Sequence, residues 1–123
     1  MYTSNEIFSI FDYAIALQNL VIRASSVGED DHNIDIIFLG AFYLCLPTLF
    51  CGINISHAST KDVEMFASTI TPTKNEKYFL IETGNTKYLI GALGFSVHLN
   101  NLDFDQTSLS AEPFERKQIY PAD

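Results

Sequence analysis

Gly94-Phe95-Ser96-Val97-His98 sets a serine and a histidine two residues apart, the residue types that base-activated nucleophilic catalysis requires. On a strand their Cα atoms would lie about 7 Å apart with neither side chain aimed at the other, so a direct hydrogen bond is not expected. No Gly-x-Ser-x-Gly elbow accompanies them. Cys51 and His57 are six residues apart, roughly 20 Å if the chain is extended, and only a tight fold would join them. His32, His57 and His98 are scattered, and there is no Cys-x-x-Cys or His-x-x-x-His pair. No metal and no other cofactor is therefore expected; a meeting of His57 and His98 across a sheet is the one route to a site. Gly91-Ala92-Leu93-Gly94 has the glycines of a phosphate loop but neither its lysine nor a following helix, and reads as a bend.

What remains is carboxylate. Glu29-Asp30-Asp31 is a run of acids on a polar loop, with Asp35 close behind. Asp103, Asp105, Glu112 and Glu115 recur in the last stretch, interleaved with Phe104 and Phe114. Acid–base catalysis needs one carboxyl desolvated so that its pKa rises, whereas consecutive acids on a polar loop stay solvated. The run also lacks the glycine and terminal glutamate of a calcium loop. These ten residues read as a binding surface, with no enzymatic activity expected.

The charge balance points the same way. The chain of 123 residues carries a net charge of −8. Residues 1–60 hold six acids against Arg23, residues 61–100 balance at four against four, and residues 101–123 hold five acids against Arg116 and Lys117. Such a surface repels phosphate backbones and anionic lipid, and draws in a basic protein. Ten Phe and six Tyr in a 47% apolar chain supply a core without disulfides or metal. Cys45 and Cys51 are expected free and buried, since no secretory signal is evident and a reducing, cytoplasmic compartment is the default.

The elements that would position these residues form an expected α+β fold: two N-terminal helices packed on a mainly antiparallel sheet built by the C-terminal half, in a single domain over residues 1–123. The first helix is predicted over 4–24, with Thr3 and Glu6 as a capping box and a wide apolar arc from Ile7 to Ile22. Residues 25–33 are a loop. A buried helix is predicted from about Ile34 to Leu46, ended by Pro47 and followed by an extended segment Thr48–Ser56. The nearly unbroken apolar run over 36–53 is long enough to raise a membrane span, but Pro47 interrupts it and the flanking charges set no topology. A short helix fits 60–70, with Thr60 as a cap. The clearest β signal is a hairpin, Tyr78–Thr83 and Thr86–Gly91 around Gly84-Asn85, which sets Glu82 opposite Lys87 and Phe79 opposite Ile90. Phe95–Leu99 follows as a strand, with Phe95, Val97 and Leu99 on one face. Residues 100–123 read as an irregular acidic tail pinned by its aromatics.

In overall style the chain resembles bacterial immunity proteins, the small cytosolic inhibitors made beside contact-dependent or bacteriocin-type toxins. The compact acidic domain and the clusters at Glu29-Asp30-Asp31 and Asp103/Asp105 carry that resemblance; no motif does, and the Trp-containing signature of one such superfamily is absent. The resemblance implies an inhibitor whose partner is a basic toxin nuclease. Two other readings stand beside it: a small apolar-ligand binder using the two helices around a pocket, and an oligomer, such as a homodimer, with the first helix as its seam.

Overall fold

Isoleucine, valine and phenylalanine crowd the first forty residues, and β-branched and aromatic side chains fit a pleated surface better than a helix. A computed structural model, which describes residues 1–29, 31–66 and 76–121, follows that preference. Its elements are β1 (Tyr2–Ala14), β2 (Asn19–Val27), β3 (His32–Leu39), β4 (Tyr43–Cys45), β5 (Leu49–His57), α1 (Thr60–Phe66), β6 (Lys77–Thr83), β7 (Thr86–Ala92), β8 (Gly94–Asn100) and β9 (Arg116–Tyr120). The expected α+β architecture is overturned. Residues 4–24 form two strands and the turn between them, and the predicted helix from Ile34 is β3 and β4. Thr3 and Glu6 make no capping box; the Thr3 hydroxyl donates across to Asn54 on β5 (3.0 Å).

The described strands make one antiparallel sheet in the order β4-β7-β6-β5-β1-β2-β3-β8-β9. β1 is its middle strand. Tyr2–Ser9 pairs with β5 and Ser9–Ala14 with β2, with register shifts between Ser4 and Ile7 and between Ile10 and Asp12. Such bulges bend a strand and sharpen its twist. The sheet accordingly curls back on itself. Phe38 on β3 meets Phe79 on β6 at 5.9 Å between ring centroids, although β2, β1 and β5 separate those strands in the sheet. Phe95 on β8 closes the same aromatic cluster, 5.3 Å from Phe38 and 5.4 Å from Phe79. The inner face is a continuous core that includes Phe8, Ile22, Ile36, Phe50, Ile55, Ile81, Ile90 and Val97.

The C-terminal hairpin has the expected register in full: Thr83 opposite Thr86, Glu82 opposite Lys87, Ile81 opposite Tyr88, Phe79 opposite Ile90. Gly84 alone of the two turn residues has a positive φ, 59°, which is the pattern of a type II′ turn. Gly91 serves a different need: a Cβ there would lie 2.6 Å from the Phe42 ring, so only glycine lets that ring seat. α1 begins where expected, but Ser59 caps it. The Ser59 hydroxyl accepts the Asp62 N–H (3.1 Å) and the Asp62 carboxylate accepts the Ser59 N–H (2.9 Å). That backbone bond is the main cause holding the Asp62 carboxyl below its ordinary range. Residues 67–70 of the predicted helix lie outside the described residues. The apolar run over 36–53 is divided among β3, β4 and β5. Among the described residues no helix is long and apolar enough to cross a membrane.

The tail is not an irregular appendage. Arg116–Tyr120 is β9, paired antiparallel with β8, and Tyr120 stacks on Phe95 at 5.0 Å. Between β8 and β9 the chain crosses the outer face of the sheet with 3-10 turns at Ser108–Ser110 and Pro113–Glu115. Cys45 is half-buried and Cys51 exposed, both unbridged, which corrects the expectation that both are buried.

Candidate functional site

The outer face of β2, β3 and β8 alternates with the core face; beside the apolar pair Val21 and Ile37 it carries a polar cluster, Arg23, Asp35, Asn33, His98 and Asn100, all buried. Arg23 and Asp35 are directly opposite each other on β2 and β3. Arg23 grips Asp35 with two parallel bonds, Nε to Oδ1 at 2.7 Å and Nη2 to Oδ2 at 2.8 Å, while Asn100 Nδ2 donates to Oδ2 at 2.8 Å. The Phe11 ring lies flat against the guanidinium, 3.8 Å from Cζ to the centroid. A buried carboxylate is tolerable only when paired and hydrogen-bonded in this way.

The same network fastens the start of the tail. Asn33 Nδ2 donates to Asn100 Oδ1 (2.9 Å) and to the Leu102 carbonyl (2.8 Å), the Leu102 N–H donates to Asn100 Oδ1 (3.1 Å), and Arg23 Nη1 reaches the Asp103 carbonyl (3.4 Å). The Asp103 N–H in turn donates to Gln106 Oε1 (3.0 Å). Interior polar groups therefore set where Asp103, Phe104 and Asp105 emerge.

The emergence point is one end of the molecule. Glu29 and Asp31 sit in the β2–β3 turn, where Asp31 adopts a φ of 54°. His32, at the start of β3, lines a cavity of about 300 Å³ together with Asn101, Phe114, Glu115 and the bases Arg116 and Lys117. A second hollow of about 260 Å³ brings Asp105 and Glu115 to one rim. Glu29, Asp31, Asp103, Asp105, Glu112 and Glu115 are all exposed here, and none of them is drawn into an ion pair among the described residues. Phe104 and Phe114 stand among them at 87% and 86% exposure. Neither aromatic pins the tail; that expectation is corrected, and Tyr120 alone of the three packs against the core.

Of the ten candidate residues, Asp105 and Glu115 share one hollow and Phe114 and Glu115 another, while Glu29, Asp31, Asp103, Phe104 and Glu112 are exposed on the β2–β3 turn and the tail segments that lead to them. Asp30 lies outside the described residues. Asp35 is removed from the set, because it is fully buried and spent on Arg23. Sequence reasoning missed Arg23, Asn33 and Asn100, which position the loop. The signal was available: one base and one acid, each inside an apolar run, are costly to bury unless they meet.

The expectation for Ser96 and His98 is also corrected, since Ser96 Oγ lies 2.9 Å from His98 Nε2. The other ring nitrogen, Nδ1, is buried and has no hydrogen-bond partner among the described residues, so none of their carboxylates orients the imidazole. Burial, and then the nearby Arg116, push the His98 pKa below its ordinary value, with Asp35 opposing. His57 is elsewhere, stacked on Phe79. Among the described residues no three His, Cys, Asp or Glu side chains come close enough to hold a metal ion. Compared with known proteins, the chain matches no family model, no curated protein and no solved structure.

Proposed function

We propose that this protein is an inhibitor that binds a basic protein partner and blocks its active site with the acidic end described above. The observation that carries the reading is the pair Phe104 and Phe114, two large apolar rings left almost wholly in water within a field of six carboxylates. Exposed aromatics of this kind are the usual anchors of an interface, and the acids around them supply steering and register toward Lys and Arg. The buried network under Leu102 and Asp103 supports it further, because a preorganised loop loses less freedom on binding. The resemblance to immunity proteins makes the partner a toxin nuclease, whose nucleic-acid groove has the complementary charge. The small-ligand reading placed its pocket around two helices; those segments are strands, and several of the apolar residues it drew on, Ile7, Ile15 and Leu17 among them, lie exposed on separate parts of β1 and its turn.

The test is capture from native-cell extract on the immobilised protein, eluted by a salt gradient. Wild type is expected to hold a basic protein that is released at high salt. F104A/F114A is expected to bind it at least about tenfold more weakly, and D103K/D105K to associate more slowly. Retention of no basic protein at low salt, or equal retention by all three, would overturn the reading.

A further inference from the structure

Strand alternation puts every second residue on the inner face of the curled sheet. On β5 that series runs Ile53, Ile55, His57, and on β6 it runs Ile81, Phe79, Lys77. Ile53, Ile55, Ile81 and Phe79 belong to the core, whereas His57 and Lys77 are exposed. The inner face therefore reaches water at this end, and it does so at a hollow of about 280 Å³. His57, Lys77, Phe79, Gly94, Phe95 and Tyr120 line it. Its walls are two stacked pairs of rings: His57 on Phe79 (5.6 Å, 26°) and Tyr120 on Phe95 (5.0 Å, 13°). Phe79 and Phe95 meet edge to face (5.4 Å, 85°), so the two walls form a corner. Among the described residues no Asp or Glu lines the hollow, and Lys77 makes no ion pair. The neighbouring Glu76 accepts from the Tyr78 hydroxyl (3.1 Å), and Tyr78 belongs to the other face of β6.

We propose that this hollow is a binding site for a small aromatic carboxylate, a single ring bearing one acidic group. Each part of that ligand answers a feature of the site. Apolar walls with one or two placed polar groups, at the mouth of a curled sheet, are the usual setting for a small molecule. A ring laid face-on against one wall presents its edge to the other, and both are arrangements that aromatic groups prefer. Volume sets the size: an apolar cavity of about 150 Å³ takes benzene, so 280 Å³ has room for one ring and a short substituent. The Lys77 ammonium at the rim supplies the counter-charge. The net charge of −8 favours a ligand with one negative charge over one with several. It does not oppose that single charge strongly. β8 runs from the hollow at Gly94 to the acidic end at Asn100, about 20 Å of extended strand, which is more than two Debye lengths at physiological salt. The hollow is thus separate from the acidic end and independent of what that end binds.

The test is an NMR titration of the full chain with benzoate at fixed ionic strength. Saturable shifts are expected at His57, Phe79, Phe95 and Tyr120, with a Kd on the order of 1 mM or tighter. Benzyl alcohol keeps the ring without the charge and is expected to bind about threefold more weakly or worse. Benzylamine, with the charge reversed, is expected to bind more weakly still, and acetate, which lacks the ring, to leave these signals in place. Lys77→Gln, at an exposed position, is expected to weaken benzoate about threefold or more and to leave benzyl alcohol unchanged. The comparison of benzoate with benzyl alcohol on wild type stands even where the variant fails to fold. No saturation by about 10 mM benzoate would overturn the proposal. So would equal affinity for benzoate and benzyl alcohol, a Lys77→Gln variant that binds benzoate as wild type does, or shifts centred on Arg116 and Lys117 instead. None of these results bears on capture of a basic partner by the acidic end.

Discussion

Asp35 satisfies three donors inside the protein, and its loss strands the Arg23 guanidinium without a counter-charge. Asp35→Ala is expected to destabilise the fold by about 3–5 kcal/mol, measured from the urea midpoint; a loss below about 1 kcal/mol would show that water already screens the pair. His98 makes a subtler contribution. The unfolded chain takes up its proton near the ordinary 6.5, whereas the folded, desolvated imidazole does so only at lower pH. Between those two pH values the unfolded state binds more protons, so stability falls as pH drops through 6.5 and gains nothing further above it. The unfolding midpoint of wild type is therefore expected to fall more steeply from about pH 7.5 to about pH 5.5 than that of His98→Gln. Parallel slopes would mean that the ring titrates as it does in water.

The hairpin β6–β7 was legible because every local signal agreed: a Gly-led turn, opposite charges across it, and aromatic against aliphatic. Gly84→Ala tests the turn directly. Open space surrounds a Cβ there, so only the positive φ opposes it, and the expected cost is about 1–2 kcal/mol in denaturant unfolding. An unchanged midpoint would show that the turn relaxes at no cost. The first half was illegible for the converse reasons. The β1–β2 turn, Ile15–Gln18, offers no Gly, Pro or Asn-Gly, and Gln18 itself supplies the positive φ of 55°. Two bulges break the alternation of β1, so Phe8 points in while Ile7 and Ile10 are both exposed. β2 and β3 are buried on both faces and lose the polar alternation of a half-exposed strand. An uninterrupted apolar stretch then mimics a broad helical arc. One clue was present: on a helical wheel Ser9, Asp12, Asn19 and Arg23 make a polar stripe, and Gln18 falls on the opposite, apolar side.

At the scale of the whole molecule the protein has two unlike ends, and β2 runs from one to the other. The acids of the candidate site were visible as residues, but their gathering was not, because it depends on β3 pairing with β8 and on the tail returning as β9. The order of the sheet carries one more consequence. β1, the middle strand, is made before either of its neighbours. β2 can cover one edge almost as soon as it leaves the ribosome, but β5 ends at His57, and until then the other edge of β1 stands open. An open edge that contains Ile7, Phe8 and Ile10 is a template for any nearby strand. During synthesis the central strand therefore stays half-paired for some forty further residues, a window in which its open apolar edge is exposed to chaperones and to aggregation.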